Sequence, residues 1–161
     1  MKIEQIVTSF ETSKLLNKVI PGKKSLFSYF KNESEGLFVG ETDLKLDSQF
    51  ECYCYTFSEL LNLLPGTLEV NLDTYKASTN TYEKIVFPEG TDYYFARLEL
   101  LKSDEDPNSI DYVARYAYDG KVIAFSQNQK GLYNNLIRFG TTETEAMAAM
   151  LLALIEEDIY K

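Results

Sequence analysis

Apolar positions along the chain fall into helical period three times, and each time a start signal precedes them. Thr8 and Glu11 form a Thr-x-x-Glu capping box. Thr12, Leu15, Leu16 and Val19 then come at i, i+3, i+4 and i+7, which predicts one helical face. Pro21-Gly22 stops that helix. Thr56 and Glu59 repeat the box before Phe57, Leu60, Leu61 and Leu64, and Pro65-Gly66 ends the second helix. Thr142 and Glu145 open the third. Its broad apolar stripe is Ala146, Met147, Ala149, Met150, Leu151, Leu154 and Ile155. A stripe that wide predicts the best-buried helix of the three, running to about residue 158.

Between the helices the pattern is that of strands. Ser25–Lys31, Leu37–Thr42, Phe50–Tyr55, Thr67–Tyr75, Tyr82–Phe87, Tyr93–Leu101 and Ile110–Tyr118 are rich in aromatic and branched residues and are bounded by polar loops. Asp119-Gly120 is the strongest turn signal, because a two-residue hairpin link favours positive φ. It predicts Tyr118 opposite Lys121, Tyr116 opposite Ile123 and Ala114 opposite Phe125. One face of that hairpin carries Tyr112, Tyr116, Tyr118, Ile123 and Phe125. The other carries Val113, Arg115, Ala117, Val122 and Ala124, which are smaller and more mixed. Short loops between successive strands favour antiparallel pairing, since parallel pairing needs crossover helices. The expected fold is α+β: a meander of antiparallel strands with about three helices packed on one face. Residues 1–161 read as a single domain, with 1–66 as an alternative N-terminal subdomain. The tight link at Tyr55–Thr56 argues against a flexible joint there.

A chain of 161 residues buries enough surface to fold without a metal or disulfide staple. No apolar run approaches the roughly 20 residues of a membrane span. The opening Met1-Lys2-Ile3-Glu4-Gln5 does not read as a signal peptide. Net charge is −9, and it is unevenly spread. Residues 1–50 hold seven basic and seven acidic side chains, whereas residues 51–161 hold nine and 18. Such a surface repels nucleic acid and anionic membranes, whose binding rests on Lys and Arg. It serves solubility, or it forms an acidic face for a basic partner.

The chain has no His, which removes His-based acid–base chemistry, Ser-His-Asp and Cys-His nucleophilic sites and His-containing zinc sites. Cys52 and Cys54 are two apart on a predicted strand. They read as free thiols on one buried face, in keeping with a cytoplasmic, reducing location. Too few further ligands exist for a Cys-based metal site, and no cofactor is expected. Asp104, Glu105 and Asp106 form the densest acidic run, in a loop without the ligand spacing of a calcium-binding EF-hand. No phosphate-cradling Gly-rich motif is present, and Ser126–Gly131 does not supply one. Twelve Tyr and ten Phe are a high aromatic load. The stripe Tyr112, Tyr116 and Tyr118 is either the face the helices cover or, with the acidic loop, a partner-binding patch.

Three stretches, Thr8–Phe30, Cys54–Pro65 and Thr142–Glu156, resemble small uncharacterised α+β proteins carried by phages and prophages. The likeness lies in a short opening helix leading to Ser-Leu-Phe, a Thr-Phe-x-x-x-Leu helix ending in Leu-Pro, and an Ala-rich Met-Leu closing helix. It covers about a third of the chain, and the strand-rich middle from Leu68 departs from it. The resemblance implies a mobile-element origin and an α+β scaffold, and it implies no activity. The expectation is a non-enzymatic accessory protein of the host cytoplasm that binds a host or phage protein, with an inhibitor or decoy on a basic surface as one form. The alternative is an enzyme of unfamiliar type using carboxylates and Tyr. Nucleic acid and membrane are not expected partners, and the oligomeric state stays open.

Overall fold

A computed structural model describes residues 3, 6–34, 36–43, 48–71, 90, 93–102, 112–118, 121–122, 124–127 and 133–160. In chain order these give α1 (Phe10–Val19), β1 (Phe27–Asn32), β2 (Gly36–Glu41), β3 (Gln49–Cys54), α2 (Phe57–Leu63), β4 (Thr67–Asn71) and β5 (Tyr93–Lys102). Next come β6 (Tyr112–Tyr118), β7 (Lys121–Val122), β8 (Ala124–Gln127), β9 (Tyr133–Asn135), β10 (Ile137–Gly140) and α3 (Glu143–Glu156). The class is α+β with antiparallel sheets. The expected Tyr82–Phe87 strand and the Asp104–Asp106 loop lie outside the described residues.

The strands form more than one sheet. β2-β1-β3 is one, with β3 passing to the far side of β1. The second runs β10-β6-β5-β4, with β7 also pairing with β6, and among the described residues β8 pairs with β9 alone. Among the described residues, β4-β5-β6-β7 has the neighbour-to-neighbour order of a meander. The predicted pairing of Tyr118 with Lys121 is present. β10 returns along the outer side of β6 and pairs Ile137 with Arg115 and Phe139 with Val113. That strand is not among those expected from the sequence.

The helix starts are built differently. α2 has the full predicted box: Thr56 Oγ1 accepts from Glu59 N, and Glu59 accepts from Thr56 N at 2.7 Å. α1 starts one residue later than expected, with Ser9 as cap. Thr8 is instead buried, its Oγ1 bonded to Ser13 Oγ at 2.7 Å and accepting from Tyr55 N at 3.0 Å. α3 has half of its box. Thr142 Oγ1 accepts from Glu145 N at 3.1 Å, but the Glu145 carboxylate reaches across to α1. There it accepts from Ser9 N at 2.6 Å and Thr12 Oγ1 at 2.7 Å. One acidic side chain thus accepts from the N-cap N–H and a first-turn hydroxyl of a neighbouring helix and locks two helix starts together.

The main core joins the helices to one face of the second sheet. Leu16, Ile20, Leu60, Leu64, Met147, Met150, Leu151 and Leu154 pack against Leu68, Ala96, Ala114 and Tyr116. As expected, α3 is the most buried helix. It lies so close to β10 that a Cβ on Gly140 would come within 2.2 Å of Ala146 N. A smaller cluster, Val7, Tyr29, Val39, Cys52 and Cys54, fills one face of the first sheet. α1 also closes the edge of β3: the Asn17 carboxamide donates to Tyr53 O at 2.7 Å and accepts from Tyr53 N at 3.1 Å, as a neighbouring strand would.

Candidate functional site

The Tyr stripe belongs to the inward face of the second sheet. Tyr116 is fully buried, and its hydroxyl donates to the Pro65 carbonyl. Burial raises its pKa. Tyr112 and Tyr118 are half-buried against the same core. Period two puts the three tyrosines on one side of β6, and the helices occupy that side. Tyr116 is therefore no contact residue for a partner. Asp104, Glu105 and Asp106, the other candidate contacts, lie outside the described residues.

The opposite face of this sheet is the one turned outward. Its positions are set by register. Phe139, Val113 and Leu101 form one row across β10, β6 and β5, and Ile137, Arg115 and Glu99 form the next. Ala117, Arg97 and Thr67 form a third row, and Phe95 stands opposite Glu69. Phe139 is 63% exposed, Phe95 58% and Leu101 42%. Arg115 is tied to Glu99 by a 2.8 Å ion pair. The face is thus aromatic and aliphatic, its four charges balanced in sign, and buried at Ala117. The contiguous apolar part of this face is the row Phe139, Val113 and Leu101, and Phe95 stands apart from it beyond Glu99 and Arg97. On the sequence alone this is the smaller, more mixed face of β6. The pairing of β10, which brings Phe139 beside Val113, is what completes the row.

The groups with displaced titration serve structure. Burial pushes the Cys52 thiol up to about 11, and burial with the neighbouring Cys52 pushes Cys54 up to about 12. Both are free and buried, as expected. Burial likewise raises Tyr55 to about 12, and its hydroxyl donates to Lys23 O at 2.9 Å. Burial would raise the Glu59 carboxyl, yet four donors outweigh it and hold the group below its ordinary value. These are Thr56 N, Leu26 N, Thr56 Oγ1 and Ser25 Oγ. Among the described residues no three of Cys, Asp and Glu gather to hold a metal ion. A cleft of about 430 Å³ opens where β1 and β2 meet away from their turn, lined by Lys24, Ser25, Leu26, Phe27, Glu41, Thr42 and Asp43. No described helix is long and apolar enough to cross a membrane. No family model matches the chain, and neither a curated protein nor a solved structure matches it.

Proposed function

We propose that this is a non-enzymatic accessory protein of phage or mobile-element origin that works in the host cytoplasm by binding another protein. The observation that carries the reading is the outward face of the second sheet, where Leu101 and Phe139 stand exposed in one row with Val113 between them and Phe95 stands exposed three rows further along β5. Aromatic anchors with Arg at hand have the composition of interface cores. The net charge of −9 favours a partner with a basic surface, whose encounter it would speed and make salt-sensitive. An inhibitor or decoy acts in this way.

The carboxylate-and-Tyr enzyme gains less support. The tyrosines with raised pKa, Tyr55 and Tyr116, donate to backbone carbonyls, and neither lines the cleft that holds Glu41 and Asp43. The test is capture from host lysate at low and moderate salt, comparing the wild type with a Phe95→Glu/Phe139→Glu variant. A defined partner held by the wild type and lost by the variant is expected. No defined partner at either salt, or a partner that ignores the substitutions, overturns the proposal.

A further inference from the structure

The outward face of α1 has the opposite polarity to the molecule as a whole. Leu15 is 53% exposed and Val19 38%, one helical turn apart. Lys14 and Lys18, also exposed and one turn apart, run beside them. Lys23 and Lys24 follow past the helix end, next to Leu26, which is 70% exposed, and Lys24 and Leu26 share their cleft with Glu41 and Asp43. Glu11 is the one acidic side chain on the helix itself. None of the four lysines forms an ion pair with a described residue. The Lys14 ammonium rests 4.1 Å from the centre of the Phe10 ring.

From this juxtaposition we infer that the outward face of α1 docks an acidic, amphipathic segment of another protein. The partner's apolar side chains cover Leu15 and Val19, and its carboxylates meet Lys14, Lys18, Lys23 and Lys24. This is the helix-on-apolar-strip mode of recognition, with charge fixing the choice of partner. A short peptide feels the patch locally, because salt screens charges beyond about 8 Å at physiological ionic strength. Long polyanions and anionic bilayers extend over the rest of a surface of net charge −9 and are repelled by it. Duplex DNA also presents a charged, polar backbone to Leu15 and Val19, where a partner helix presents apolar side chains. The surface is separate from the outward sheet face, whose four charges balance in sign.

The test uses a labelled amphipathic peptide of about 18 residues, long enough to form a helix, with Leu on one face and Glu on the other. Its control carries Lys in place of Glu. Fluorescence anisotropy should give at least tenfold tighter binding of the Glu peptide, on the order expected for a patch of several charges. Lys14→Glu/Lys18→Glu should cancel that preference, and Leu15→Ser should weaken binding several-fold. All three positions are exposed, so an unchanged thermal melt is expected. Lys14→Gln/Lys18→Gln replaces the pair if the charge reversal melts early. Equal binding of the two peptides, absence of binding, or binding unaffected by the substitutions overturns the inference. So does tighter binding of duplex DNA or of phosphatidylserine vesicles at the same salt, or self-association that the lysine substitutions abolish. Capture through the sheet face should ignore these substitutions, so the two proposals fail separately.

Discussion

Gly140→Ala should be among the most damaging single-methyl changes in the described chain. The new Cβ would lie 2.2 Å from Ala146 N, 2.7 Å from Glu145 C and 2.8 Å from Ala146 Cα, all of them backbone atoms of the first turn of α3. Ordinary contact begins near 3.4 Å, so the helix start must retreat by about 1 Å. No rotamer change relieves a backbone clash. Retreat would lift Ala146, Met147 and Met150 from the core and stretch the Glu145 bonds to Ser9 and Thr12. Overpacking alone costs about 1–3 kcal/mol, and lost packing raises the expected total to about 3 kcal/mol or more. For a chain of this size that lowers the melting temperature by roughly 6–12 °C. Gly66→Ala is the control, since its Cβ would meet nothing within 4 Å. There the change should be near neutral, or mildly stabilising through the unfolded chain. Calorimetry or urea unfolding of both variants decides. Gly140→Ala within about 1 kcal/mol of wild type would refute the close seating of α3 on β10, because overpacking of a rigid contact costs more than that.

Other perturbations test the buried polar network. Glu59 has a lowered folded pKa, so its contribution is fully present above the unfolded value near 4.5 and is lost as pH falls through the lower folded value. The urea midpoint of the wild type should therefore fall faster with acid below that value than the midpoint of Glu59→Gln, and parallel curves would contradict the network. Cys52 and Cys54, with thiols pushed up to about 11 and about 12, should react with a thiol reagent at pH 8 only at the rate of unfolding. Labelling faster than unfolding would show that the thiols are accessible. Tyr116→Phe removes the donor to the Pro65 carbonyl and should cost about 1–3 kcal/mol in denaturant unfolding.

Local chemistry is legible wherever one segment determines the outcome. The α2 box, the broad stripe of α3, the shared face of Cys52 and Cys54 and the pairing of Tyr118 with Lys121 all depend on residues a few positions apart. Only the folded chain reveals whatever one segment does for another. Glu145 caps α1 from a sequence distance of 136 residues, and no spacing rule reaches that far. β10 finds β6 across the β8–β9 hairpin, and its arrival turns a mixed strand face into a row of exposed apolar side chains. Period alone places the tyrosines on one side of β6. Which side faces the helices depends on where α3 lies.

The same limit explains why the periodicity of α1 points the wrong face inward, and why its strip of apolar side chains stays in water. Thr12, Leu15, Leu16 and Val19 make the more hydrophobic arc, yet the buried positions are Ser13, Leu16 and Ile20. Burying Ser13 in place of Leu15 is tolerable only because its hydroxyl is satisfied: Ser13 Oγ and Thr8 Oγ1 lie 2.7 Å apart, and Thr8 in turn bonds Tyr55. Asn17, on the neighbouring position of the arc, ties the helix to Tyr53 through both ends of its carboxamide. Together these bonds fix the rotation of α1 about its axis against the simple pull of its leucines. An exposed leucine and valine beside lysines that meet no carboxylate among the described residues are the consequence of that rotation. Hydrophobic burial alone would have turned them inward, and the hydrogen bonds that prevent it leave the strip available to a partner.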